Sequence, residues 1–272
     1  MCSMKQFFDD ISSKFVRVPK QIRYVIASVL GAIFLFLAVG VPYPYSWIVL
    51  PFLCVMSYLL TWFALLEDIK RGEWYVLFIL PVAWTATWYV SFYMLPMRLV
   101  VRLLFSLTYP LILYIIVSAM NIFNVGVEKN LQLRRAAQAA NQFIIVLVFY
   151  LFTQVISSFG LSWFILGIIT GVFAWLLGIQ LFWTLNPSET ISTEVKNLSL
   201  YQGFVIGFFM ILLSFVPFTL ETPRPMIITG SFYVVSGILS TYTDHILMKQ
   251  RRREYYGILI LLILATLLTL RW

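Results

Sequence analysis

In the stretch STYTDHILMKQRRREYY (240–256), Asp244 stands beside His245, the chain's single histidine, and both lie just ahead of Arg251, Arg252 and Arg253. An imidazole next to a carboxylate can serve as a general base, and clustered arginines can hold an anion. A serine nucleophile with His245 as its base stays formally open, but no serine is marked out by its neighbours, and neither a GxSxG elbow nor an HExxH pair occurs. One histidine cannot build a multi-histidine metal site. Cys2 and Cys54 have neither disulfide nor metal-ligand spacing, so no metal or other cofactor is expected.

A second constellation is built from amides, in NIFNVGVEKNLQLRRAAQAANQFIIVLVFYLFTQVISSFG (121–160). Its apolar part, 143–157, would rise only about 22 Å as a helix, short of a bilayer core of about 30 Å. A spanning helix must therefore recruit the Ala-rich turn before it. With Arg134 and Arg135 at the inner interface, Gln138, Asn141 and Gln142 fall on one face, which continues through Phe149 and Thr153. Asn121 and Asn124 close the preceding helix at the same depth, and Gln180 lies near the inner end of the following one. Unpaired amides are costly in lipid, so these six residues should face the bundle. There they serve either as interhelical hydrogen-bonding groups or as the lining of a cavity in the cytoplasmic half.

Arg98 and Arg102, one turn apart at an outer helix start, offer two readings: snorkelling anchors, or a site for an anion or lipid headgroup. Trp84, Trp88 and Tyr89 either pack or line an apolar ligand site. Pro81 and Pro110 should kink the helices that carry them.

The elements that would position these groups are membrane helices. Of 272 residues 61% are hydrophobic and 11% charged, with a mean hydropathy of +0.92, whereas soluble domains carry about 25% charge. All eleven acidic residues fall between or at the ends of apolar runs. The fold class is all-α, a polytopic transmembrane bundle. Windows with their flanks give nine spans, at about 24–40, 46–66, 74–94, 98–120, 136–158, 162–185, 203–220, 226–246 and 255–270. Loss of the short last one would leave eight.

With the N-terminus cytoplasmic, 15 of the 19 basic residues lie inside, and only Arg98, Arg102, Arg224 and Arg271 lie outside. That bias assigns His245 and its arginines to the cytoplasmic end of span eight, complementing the helix C-terminus. The net charge of +8 thus reports topology, not nucleic-acid binding. Trp47 and Trp163 mark outer helix ends; Trp62, Trp74 and Trp183 mark inner ones.

Residues 1–23 form a cytoplasmic segment in which Phe7, Phe8, Ile11 and Phe15 recur at the spacing of a short interfacial amphipathic helix. Residues 24–272 form one integral membrane domain, with a loose pattern of two parallel four-helix repeats (24–120 and 136–246) and a final helix (255–270). GxxxG pairs at Gly167/Gly171 and Gly203/Gly207 provide close-packing faces, within the chain or between copies in an oligomer.

No carboxylate that would drive proton or sodium coupling lies at mid-depth in a span, and no Walker loop occurs. The expected function is a non-enzymatic membrane-embedded subunit or scaffold in the plasma or inner membrane, in contact with lipids and a membrane or cytoplasmic-side partner. The alternatives are a facilitated carrier for an apolar or amphipathic solute or lipid, and an intramembrane lipid-modifying enzyme.

Overall fold

A computed structural model describes residues 19–41, 45–66, 75–94, 99–125, 131–185, 187, 190–217, 223–243 and 249–269. Every regular element among them is helical: α1 Lys20–Val39, α2 Ser46–Leu65, α3 Val76–Phe92, α4 Leu99–Val125, α5 Leu131–Ser158, α6 Trp163–Leu185, α7 Thr193–Ser214, α8 Pro223–Thr243 and α9 Lys249–Thr269. Among the described residues six stretches are long and apolar enough to cross a membrane: Lys20–Val39, Trp47–Leu65, Leu103–Asn124, Gln132–Ser158, Trp163–Leu185 and Thr193–Ser214. At 17 residues α3 rises only about 26 Å, and the apolar part of α9, Tyr255–Leu264, is shorter still. The amphipathic helix expected within residues 1–23 lies outside the described residues up to Val18.

Most expected windows coincide with a helix to within a few residues, and two are displaced. The helix expected at 203–220 is α7, which begins ten residues earlier, at Thr193. Its start is fixed by polar chemistry: the Ser192 side chain accepts a hydrogen bond from Val195 N, and Glu194 occupies the first turn, where the helix dipole favours negative charge. The helix expected at 255–270 begins at Lys249 and so takes the arginine run into its first turn. α5 runs unbroken from the Ala-rich turn to Ser158, as the short apolar stretch requires. Gly160, with a left-handed φ of 62°, lets the chain reverse before α6.

Contacts divide the chain into two compact units, Met1–Ala140 and Asn141–Trp272. In the first, α1 packs on α2 and α4, α2 on α3, and α3 on α4, around Leu35, Leu65, Leu80, Trp84 and Ile116. In the second, α6 and α7 form the most intimate pair, and α8 bridges α7 and α9. The helices of both units keep large apolar side chains on their outer faces, such as Leu37, Leu111, Phe204 and Leu268, as lipid-facing helices do.

Candidate functional site

In the first unit a chain of buried hydroxyls lies midway along α2, α3 and α4. Ser57 Oγ donates to the Pro81 carbonyl at 3.1 Å, Thr85 Oγ1 stands 2.9 Å from Ser57 Oγ, and the Tyr109 hydroxyl lies 2.8 Å from Thr85 Oγ1. Thr85 Oγ1 is also 2.8 Å from the Pro81 carbonyl, one helical turn back. If Tyr109 donates to Thr85, Thr85 to Ser57 and Ser57 to Pro81, each hydroxyl donates once and the chain ends on backbone. Ser57, Thr85 and Tyr109 are all buried, so exchange with water is not available to them.

Aromatic rings close over this point. Trp84 stacks parallel to Tyr109 at 6.3 Å and touches Trp88 at 4.4 Å, and Trp88 stacks on Phe105 at 4.2 Å. Trp88 Nε1 donates to the Phe105 carbonyl, one turn before Pro110. Gly31 of α1 makes room for the phenol: a Cβ there would come within 3.2 Å of the Tyr109 ring and of Leu113. The Trp84, Trp88 and Tyr89 group is therefore packing, with Trp84 and Tyr89 essentially inaccessible. α3 and α4 continue through Pro81 and Pro110.

The six expected amides divide between the units. In the first, Asn121, Asn124 and Gln138 are half-buried. In the second, Asn141 is buried on α5 and its Nδ2 donates to Thr184 Oγ1 at 3.4 Å, while Gln142 is half-buried. Gln180 is fully buried on α6, one turn from Thr184 and on the same face. The buried stripe of α5 runs on through Phe149 and Thr153, as the sequence pattern indicates. Trp183 stands near the end of α6, as expected, and is buried there.

Arg98, Asp244 and His245 lie outside the described residues, as do the side chains of Arg102 and Arg251. Among the described residues no three His, Cys, Asp or Glu side chains gather where a metal could bind.

Hydropathy and charge pass over a third buried amide, Gln202 of α7. Its Nε2 donates to Ser236 Oγ of α8 at 3.0 Å, and Ser236 in turn donates to the Phe232 carbonyl. Gly178 of α6 faces the Gln202 amide: a Cβ there would stand 3.1 Å from Oε1.

Beside it the two GxxxG pairs meet each other within one chain. A Cβ on Gly171 would stand 2.9 Å from the Gly203 carbonyl oxygen, and one on Gly203 2.7 Å from that of Gly171; Gly167 and Gly207 repeat the arrangement at 3.0 and 2.8 Å. The α-hydrogens thus point at opposing carbonyl oxygens, a set of reciprocal Cα–H···O contacts worth about 0.5–1 kcal/mol each.

On the outer side of this crossing, a groove of about 360 Å³ runs open between two apolar walls. Phe164, Ile168, Val172 and Trp175 form one wall; Leu200, Phe204, Phe208 and Ile211 form the other; the four glycines form its floor.

No known protein family, curated protein or solved structure matches the chain. Two places stand out among the described residues: a buried hydroxyl and aromatic centre in one unit, and an open apolar groove over a glycine crossing in the other.

Proposed function

We propose that the chain is a multi-pass integral protein of the plasma or inner membrane that works as a non-enzymatic, membrane-embedded subunit or scaffold, acting with a membrane or cytoplasmic-side partner. The observation that carries this reading is where two buried polar networks end. The Tyr109, Thr85 and Ser57 hydroxyls end on the Pro81 carbonyl, and the Gln202 and Ser236 pair ends on the Phe232 carbonyl. Other hydroxyls bond to carbonyls one turn back, as Thr61 does to Ser57, Ser91 to Thr87 and Ser214 to Met210. Groups arranged in this way join helices.

The topology we favour is nine spans, or eight without the last, with a cytoplasmic N-terminus; the excess of basic residues on that side supports the orientation, and the six long apolar helices support a multi-span bundle without fixing the count. Arg98 and Arg102 then serve as contacts to lipid headgroups at the outer face. Asp244, His245 and Arg251 form an interfacial charge cluster at the inner face, with a structural role.

A facilitated carrier for an amphipathic solute or lipid is the second reading. It is favoured by the open groove between α6 and α7. Purification of the full chain in native-lipid nanodiscs, beside solute flux in proteoliposomes of the chain alone, separates the two. A partner at fixed stoichiometry with no flux is expected; saturable flux of an amphipathic solute without any partner would overturn the scaffold in favour of the carrier.

A further inference from the structure

We propose that the groove over the α6–α7 glycine crossing binds one acyl chain of a membrane lipid, in one leaflet only. The inference rests on the reading that α6 and α7 lie in a bilayer, and it names what occupies that surface. From Phe164 to Trp175 the groove follows eleven residue steps, about 16 Å, which is half of a hydrocarbon core about 30 Å thick. That is the depth one lipid tail fills.

The two halves of α6 differ as such a site requires. Beyond the groove, Leu177 through Thr184 are buried all around the helix, so the groove closes near the middle of the span. In the groove half, Ile168 and Val172 are each 48% exposed. At the other end Trp163 packs on Phe215 at 5.5 Å, at the helix start where membrane-interface tryptophans stand beside lipid headgroups.

Cross-section selects the occupant. Spread over about 16 Å, 360 Å³ leaves roughly 22 Å², room for a single hydrocarbon chain. A helix about 10 Å across needs roughly 80 Å², so only side chains of a second copy's helix, and not its backbone, could enter between the walls. The glycines cannot rise to meet another chain either, because their α-carbons are already engaged with each other. Apart from the indole N–H of Trp175, the described side chains that line the groove are wholly apolar, which matches a methylene tail.

The test uses the full chain in dioleoylphosphatidylcholine vesicles doped with a phosphatidylcholine that carries a diazirine midway along one tail. After irradiation, adducts are mapped by mass spectrometry. The expected result is labelling concentrated on 164–175 and 200–211 that saturates at one adduct per chain. It should be lost in Ile168→Trp, which fills the groove from an exposed wall position, and retained in Leu111→Trp, at a 66% exposed position on α4. Val172→Trp reads the same point if Ile168→Trp does not fold. Adducts spread evenly over the exposed faces of α1, α4 and α6, or unchanged labelling in both groove-filling variants, would overturn the site. Labelling that fades as the protein-to-lipid ratio rises would show a second copy covering the groove and would equally overturn it. Absence of adducts from α1 and α4 as well would overturn the bilayer placement itself.

Discussion

In the unit Met1–Ala140 the closest joints between helices are made by side chains: the Tyr109 hydroxyl reaches Thr85, Thr85 reaches Ser57, and tryptophans stack over the gap. In the unit Asn141–Trp272 the closest joint is made where side chains are missing, as Gly167, Gly171, Gly203 and Gly207 bring two backbones into contact. Lipid tails are as apolar as leucine, so neither unit can rely on hydrophobic burial to hold its helices together. One uses directional polar bonds between bulky groups. The other uses van der Waals and Cα–H···O contact at short range. The difference teaches that the two should fail under opposite substitutions: the first when a hydroxyl is removed, the second when a methyl is added.

The largest effect is expected at the glycine crossing. Gly203→Val would drive a branched side chain into the Gly171 carbonyl and the Trp175 Cβ, both 2.7 Å from the position of its own Cβ. Backbone cannot give way as a flexible side chain can, so a loss of about 3 kcal/mol is expected in reversible unfolding from lipid–detergent mixtures. Thr85→Val keeps the shape and deletes the middle of the hydroxyl chain, leaving Ser57 and Tyr109 each short of a partner. A loss of about 1–3 kcal/mol is expected, and Thr85→Ser should restore most of it. Tyr109→Phe removes only the first donor and should cost about 1 kcal/mol. Gly31→Ala is the mildest. Its methyl would meet Tyr109 and Leu113 side chains at 3.2 Å, which can shift by tenths of an ångström, so a cost below about 1 kcal/mol is expected. If Gly31→Ala proved as damaging as Gly203→Val, the contrast between the units would collapse.

The architecture was largely legible in the sequence, because apolar run length and charge placement are set by the bilayer and need no tertiary knowledge. The start of α7 was hidden because residues 193–202 are too polar for a hydropathy window; the Ser192 cap and Glu194 in the first turn were the signals that mark it. The GxxxG pairs could be read as close-packing faces, but not that they would meet each other, since spacing does not name a partner. Ser57, Thr85, Tyr109, Gln202 and Ser236 carried no periodic or charged signature. Hydroxyls are ordinary in membrane helices, and only the three-dimensional crossing of α2, α3 and α4 turns three of them into one network. Thr85 four residues after Pro81, with Tyr109 beside Pro110, was the only hint.

Hydrogen exchange on the full chain in nanodiscs, comparing Thr85→Val with Gly203→Val, tests most directly whether each unit has its own cement. The account predicts that Thr85→Val loosens protection over 46–65, 76–92 and 99–125 while 163–185 and 193–214 stay protected, and that Gly203→Val does the reverse. Loss of protection throughout both units from either single substitution would contradict it.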